Sequence, residues 1–94
     1  MDIQEIKAYL RIDEGYTGED SLLTTLINTA EEYIYNATSK KPNYNNNLYK
    51  MAVLLYVADQ YENRVAVNSN NKQGYKFGLE NILTQLELIE DWEA

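Results

Sequence analysis

The apolar residues of this chain recur with the period of an α-helix almost from end to end. In the clearest segment, residues 18–38, eight apolar side chains fall on one side of a helix at about 100° per residue, and polar side chains fall on the other. The strict alternation typical of a half-buried strand is absent. The sequence therefore predicts an all-α fold. A length of 94 residues predicts one domain, residues 1–94, built as a compact bundle of about four helices.

Helix boundaries follow from the apolar spacing and from flanking start and stop signals. The expected helices cover residues 2–11, 18–38, 47–65 and 78–90. Capping boxes support the first two starts, one at Asp2 with Glu5 and one at Thr17 with Asp20. The polar, glycine-containing stretch 68–76 predicts a long mobile loop between the third and fourth helices.

The third predicted helix is apolar around its whole circumference. Its run from Met51 to Ala58 is apolar at every position, yet it is far too short to cross a membrane. A helix of this kind must be buried on more than one side, and three short neighbours offer limited cover. A second copy of the protein is the expected source of the remaining cover.

The composition excludes the common catalytic and metal-binding classes. The chain has no cysteine and no histidine, which removes thiolate and imidazole ligands and the commonest general base. Glycine-rich phosphate loops are absent from the sequence, and the adjacent carboxylates Asp13 and Glu14 lack the ligand spacing of a calcium loop. We therefore expect no enzymatic activity, no cofactor and no metal ion.

The formal charge of −7 is unevenly distributed along the chain. Residues 1–39 carry a net charge of −6, residues 40–76 carry +4 and residues 77–94 carry −5. An acidic chain repels phosphate, so non-specific binding to nucleic acid is not expected. The pattern suits self-association, in which the acidic ends of one copy meet the basic middle of the next. A surface that is merely solubilising is the alternative.

Aromatic residues are the main candidates for a subunit or partner interface. Nine tyrosines are present, and tyrosine suits partly wet interfaces, although partly buried core positions are the alternative for each. Leu88 and Trp92 form a candidate contact, unless the tail folds back and buries Trp92 in its own subunit. Arg64 either complements its helix dipole or bridges to an adjacent subunit. The complete candidate set is Tyr49, Tyr56, Tyr61, Glu62, Arg64, Lys72, Tyr75, Leu88 and Trp92.

Four stretches of the sequence, taken in order, carry a family resemblance. They are residues 10–23, 30–40, 48–64 and 77–83. The most specific part is the ending Tyr61-Glu62-Asn63-Arg64. Together these stretches resemble the head–tail connector proteins of tailed bacteriophages, a family also known as DNA-packaging or adaptor proteins.

The resemblance implies a structural protein of the virion head–tail junction. It implies helical subunits that form a ring beneath the portal protein, of about twelve copies when assembled. The ring would join the DNA-filled capsid to a head-completion or tail protein, and DNA would pass through without specific binding. Assembly in the bacterial host cytoplasm, with no membrane association, is also implied.

A second interpretation is a small, monomeric, acidic adaptor or inhibitor that binds a host protein. The two interpretations differ in molecular mass, because a ring is a large, discrete assembly and an adaptor stays monomeric. A subunit that remains monomeric until it meets the portal would weaken the ring interpretation without ending it.

Overall fold

The computed structural model describes residues 1–65 and 72–92, and the side chains of residues 1–62 and 78–92. The described residues form four α-helices and no strand, which confirms the predicted all-α class. The helices are α1 (Ile3–Leu10), α2 (Asp20–Thr38), α3 (Asn47–Val65) and α4 (Lys72–Glu87). The bounds of α3 are those predicted, and α1 and the end of α2 follow the prediction closely.

The start of α1 depends on the predicted N-cap. The Asp2 carboxylate accepts a hydrogen bond from the Gln4 amide at 3.0 Å, which satisfies one of the unpaired donors of the first turn. Glu5 does not complete the capping box, because its carboxylate pairs instead with the Lys50 ammonium of α3 at 2.7 Å. The helix ends at Arg11, which adopts the left-handed conformation with φ of 62°.

The predicted capping box of α2 does not form. Glu19 occupies the N-cap position but its side chain makes no capping hydrogen bond, and the Asp20 amide donates to the Thr17 backbone carbonyl at 3.2 Å. The Asp20 carboxylate is engaged elsewhere, by the Lys7 ammonium at 2.7 Å. A charged partner outcompetes the local cap, since a charge-assisted hydrogen bond is about twice as strong as a neutral one.

The helices pack in an arrangement about two layers deep. The shortest dimension of the molecule is 18 Å, which corresponds to two helices packed at 8–10 Å. The most extensive contact joins α3 to α4, α2 packs against both, and α1 packs against α2 and α3. The core between them consists of Ile6, Leu23, Ile27, Ala30, Ile34, Tyr49, Ala52, Val53, Val57, Leu79, Leu83 and Leu86.

The helix that is apolar all round, α3, is only partly covered by its neighbours. Val53 and Val57 are fully buried, whereas Leu48 and Met51 are 39% and 40% exposed. Leu55 packs close to Gly78 of α4, with its methyl carbon 3.6 Å from where a Cβ at Gly78 would lie. Cover is therefore incomplete at the N-terminal half of α3. The second copy remains a prediction.

The fourth helix begins earlier and ends earlier than the sequence predicted. It starts at Lys72 rather than residue 78, so the predicted loop overlaps α4 at residues 72–76. Gly74 costs a helix about 1 kcal/mol relative to alanine, and the preceding polar residues carry no apolar stripe to reveal the first turns. The rest of the predicted loop, with its predicted mobility, lies outside the described residues.

No helix in the described part of the chain combines the length and hydropathy needed to cross a bilayer.

Candidate functional site

Two of the predicted interface residues, Tyr49 and Trp92, pack against each other inside the subunit. Tyr49 is completely buried, and its ring centroid lies 5.9 Å from that of Trp92 and 5.2 Å from that of Tyr44. The Trp92 indole donates a hydrogen bond to the Lys41 backbone carbonyl at 2.7 Å. The tail thus folds back onto its own subunit, which is the alternative that the sequence left open. Tyr49 offers no surface to a partner in this conformation.

This aromatic cluster (Tyr44, Tyr49 and Trp92) lies beside an acidic side chain. The Tyr44 hydroxyl donates a hydrogen bond to the Glu31 carboxylate. Burial, followed by that hydrogen bond, raises the pKa of Tyr44 well above its usual value. Burial also raises the pKa of Tyr49, whose hydroxyl has no hydrogen-bond partner among the described residues. Both phenols are therefore neutral at physiological pH.

The pair that sequence spacing suggested, Leu88 with Trp92, is separated in the structure. Since α4 ends at Glu87, the two residues do not share a helix face. Leu88 is 69% exposed, while Trp92 packs against the core. Leu88 remains available to a partner, and Trp92 mainly serves its own subunit.

Tyr56 connects α3 to the C-terminal half of α2, and Tyr61 connects it to the start of α2. The Tyr56 ring lies 5.0 Å from that of Tyr33, and burial raises the pKa of the half-buried Tyr56. The Tyr61 hydroxyl donates to the Glu19 carboxylate at 2.6 Å. Both tyrosines contribute to packing between helices and retain only part of their surface for a partner.

The remaining interface candidates are Glu62, Arg64, Lys72 and Tyr75. Glu62 is half-buried on α3. The side chains of Arg64, Lys72 and Tyr75 lie outside the described residues, so their predicted role at an interface stays a prediction.

Sequence reasoning missed a buried lysine that organises the loop after α1. Lys7 is 1% exposed, and its ammonium lies 2.7 Å from the Asp20 carboxylate and 2.7 Å from the Tyr16 backbone carbonyl. A third contact reaches the Glu14 carbonyl at 3.5 Å. The signal was the position of Lys7 on the stripe of Ile3 and Leu10, which points its side chain inward.

The same loop presents an aromatic side chain that sequence reasoning also missed. Tyr16 is 52% exposed, and its ring lies over Gly18, where an added Cβ would come within 2.6 Å of the tyrosine Cζ. Real Cβ atoms are not found this close to a ring carbon, so only glycine leaves room for this placement. Lys7 holds the Tyr16 backbone, and Gly18 leaves room for its ring.

The described residues contain no group of three or more acidic side chains placed to hold a metal ion. The candidate site is a set of exposed surfaces. It comprises the exposed apolar residues Leu48, Met51 and Leu88 and the exposed tyrosines Tyr9, Tyr16, Tyr33 and Tyr35.

Comparison with known protein families agrees with the sequence resemblance and the helical architecture. The family model described as phage gp6-like head–tail connector protein matches residues 1–92. No curated protein and no solved structure matches the chain. Because the family model covers almost all of the 94 residues, the chain belongs to the phage gp6-like head–tail connector family, whose members are structural proteins of the virion.

Proposed function

We propose that this protein is one subunit of a ring that joins the portal of the DNA-filled capsid to a head-completion or tail protein. The observation that carries the proposal is the family match across residues 1–92. In this role the protein works by assembly, contributes no catalysis, and forms a ring of about twelve copies around a channel for DNA. Subunits are made and assembled in the host cytoplasm before they join the virion.

Incomplete cover of α3 supports assembly with other copies. Leu48 and Met51 are about two-fifths exposed on one face of α3, three residues apart and hence neighbours on the helix surface. Removing apolar surface of this kind from water stabilises an interface by about 25 cal/mol per Å². A partner that covers this face gains free energy that the isolated subunit leaves unused.

The net charge of −7 supports a passage that does not retain DNA. Binding to DNA phosphates depends on lysine and arginine side chains that neutralise them, and this chain has 8 bases against 15 acids. An acidic channel lining repels the phosphate backbone, so DNA moves past it without being held.

Native mass spectrometry of the purified protein, alone and mixed with its portal, tests the proposal. We expect either a discrete ring in isolation or a fixed number of subunits loaded on the portal. A protein that stays monomeric and does not bind the portal would contradict the proposal and favour an adaptor that binds a host protein.

Paired variants then locate the assembly surface. Met51→Asp introduces a charge into the exposed apolar face of α3. It should raise the dissociation constant of ring formation or portal loading by tenfold or more, equivalent to about 1.4 kcal/mol. Thr25→Asp, at an exposed position of α2, is the matched control and should leave assembly unchanged. If assembly weakened equally in both variants, the added charge alone would explain the effect, and the α3 face would not be the assembly surface.

A further inference from the structure

Two loops with opposite charge lie at the two ends of α2. The acidic loop, residues 12–19, precedes the helix and carries Asp13 and Glu14 in exposed positions. The basic loop, residues 39–43, follows the helix and carries Lys40 and Lys41. The separation of the acidic loop from the basic loop is a property of the folded subunit, since the length of α2 determines how far apart their charges lie.

Two charges of the acidic loop, those of Asp13 and Glu14, are not neutralised within the described part of the subunit. Lys7 lies against this loop, and the carboxylate it pairs with is that of Asp20. Arg11 directly precedes the loop in an exposed position and forms no ion pair with a described residue. The Asp13 carboxylate accepts a hydrogen bond from the Gly15 amide at 3.0 Å, which orients it but leaves its charge. Asp13 and Glu14 form no ion pair with any described residue.

The two lysines of the basic loop are likewise without an ion pair to a described residue, and the loop backbone is held by hydrogen bonds. Lys40 and Lys41 form no ion pair with any described residue. The Lys40 amide donates to the Thr38 hydroxyl at 3.1 Å, and the Lys41 carbonyl accepts the Trp92 hydrogen bond at 2.7 Å. Glu90 and Asp91 precede that tryptophan in exposed positions, and neither reaches the lysines with an ion pair.

The two loops cannot neutralise each other within one subunit. The 19 residues of α2 separate them by roughly 28 Å, at 1.5 Å per residue. Charges that far apart in solvent are largely screened, because the Debye length at physiological ionic strength is about 8 Å. Contact between the loops requires two copies, and because it joins different surfaces it is head-to-tail, the kind of contact that closes into rings.

We propose that the acidic loop of one copy docks on the basic loop of the next copy, with Tyr16 as the anchor. This inference rests on the proposed function, because it names the surfaces by which ring subunits meet. Asp13 and Glu14 pair with Lys40 and Lys41 of the neighbouring copy, and the Tyr16 ring packs against the lysine stems and the exposed Pro42. A cation over a tyrosine ring adds a favourable interaction. Both loops are held before docking, so little ordering entropy opposes it.

Disulfide trapping tests this contact directly, because the chain contains no cysteine. Glu14→Cys combined with Lys41→Cys places one thiol on each loop and leaves Tyr16 in place. A disulfide requires Cα atoms within about 7 Å, so the two thiols of one copy cannot meet. Under mild oxidation we expect a ladder of covalent oligomers that ends at the ring size, with more than tenfold faster crosslinking than in the control pair.

The control pair is Glu32→Cys with Glu80→Cys, two carboxylates in exposed positions on α2 and α4. Each single-cysteine variant should give covalent dimers at most. A ladder that forms as fast in the control pair as in the loop pair would overturn the proposed contact, since it would report random collision.

Charge exchange provides a second, independent test. A copy with Asp13→Lys and Glu14→Lys and a copy with Lys40→Glu and Lys41→Glu should each fail to self-associate, and should assemble when mixed. Recovery on mixing supports head-to-tail docking, whereas failure of the mixture contradicts it.

The outcome for the ring itself is read separately, from the native mass of the unmodified protein. A ring, alone or on the portal, without preferential trapping between the loops overturns the loop contact and leaves the proposed function standing. Absence of a ring in both conditions overturns the proposed function itself.

Discussion

The two ends of α2 hold their adjoining loops by opposite physical means. At the N-terminal end, Lys7 holds the acidic loop through an ion pair with Asp20 and hydrogen bonds to backbone carbonyls. Towards the C-terminal end, the Trp92 indole, which packs against Tyr49, holds the basic loop through a hydrogen bond to the Lys41 carbonyl. One loop is held by a buried charge, and the other by a hydrogen bond from a partly buried aromatic side chain.

The difference matters because the two kinds of anchor fail differently. A buried ammonium is desolvated and depends on all of its partner groups. Removing the ammonium or one partner leaves a buried polar or charged group without its partner. An aromatic cluster loses stability in proportion to the volume removed. Variants can therefore destabilise one end of α2 while leaving the other intact.

Removing the Tyr49 ring should have the largest effect. The side chain is fully buried, and truncating a buried aromatic ring typically costs about 3–5 kcal/mol. We expect Tyr49→Ala to lower the free energy of unfolding by that amount, or to abolish folding, as measured by urea denaturation. Tyr35→Ala, at a position 46% exposed, is the control and should change stability by about 0.5 kcal/mol or less.

Removing the Lys7 ammonium should have the next largest effect. Lys7→Met keeps most of the side-chain volume but leaves the Asp20 carboxylate and two carbonyls without their donor, so we expect a loss of about 2 kcal/mol. Lys50→Met breaks the more exposed pair with Glu5 and should cost about 0–1 kcal/mol. If thermal denaturation showed similar losses of stability in both variants, burial of the Lys7 ion pair would make no additional contribution to stability.

Replacing the Trp92 indole should have a smaller effect, confined to the basic loop. Trp92→Phe retains an aromatic ring against Tyr49 but loses the hydrogen bond to the Lys41 carbonyl, worth about 1 kcal/mol. Amide hydrogen exchange should then rise in residues 39–43 and stay unchanged in residues 12–19. Faster exchange at both ends of α2 would mean that the two anchors are coupled.

Alkaline pH should weaken the aromatic cluster slightly. The pKa of Tyr44 is raised in the folded protein by burial and by Glu31. Above a pH of about 10, the usual tyrosine pKa, the unfolded chain therefore binds fewer protons than the folded protein. Stability contributed by the neutral phenol is present below that pH and declines above it. Tyr44→Phe should flatten the decline in unfolding free energy between pH 9 and about 11; an unchanged slope would exclude Tyr44 as the source.

Much of the secondary structure was accessible from the sequence, because it depends on local spacing. The apolar stripe of residues 22–37 and the N-cap at Asp2 predicted two helices, and α3 has the predicted bounds of 47 and 65. The early start of α4 was missed because its first turn is polar and contains Gly74. Helix propensity is a weak guide where tertiary packing decides.

The candidate site was predicted less well, because burial is not a local property. Tyr49 and Tyr56 were both expected as interface candidates, yet the Tyr49 ring contacts Trp92 and the Tyr56 ring contacts Tyr33 within the subunit. Tyrosine suits both a wet interface and a packed core, so residue type alone could not separate these roles. The Tyr16 ring lies over Gly18 and Lys7 donates a hydrogen bond to its carbonyl, a combination that no spacing rule describes.

By itself, the sequence determined the helical class, the positions of most helix ends, the absence of cysteine and histidine chemistry, and the family. These follow from side-chain periodicity and from composition, which are properties of the chain read in order. Only the tertiary structure decided which tyrosines are buried, where Trp92 packs and how Lys7 holds the acidic loop. Those outcomes depend on contacts between residues far apart in sequence, where Trp92 meets Lys41 and Tyr61 meets Glu19.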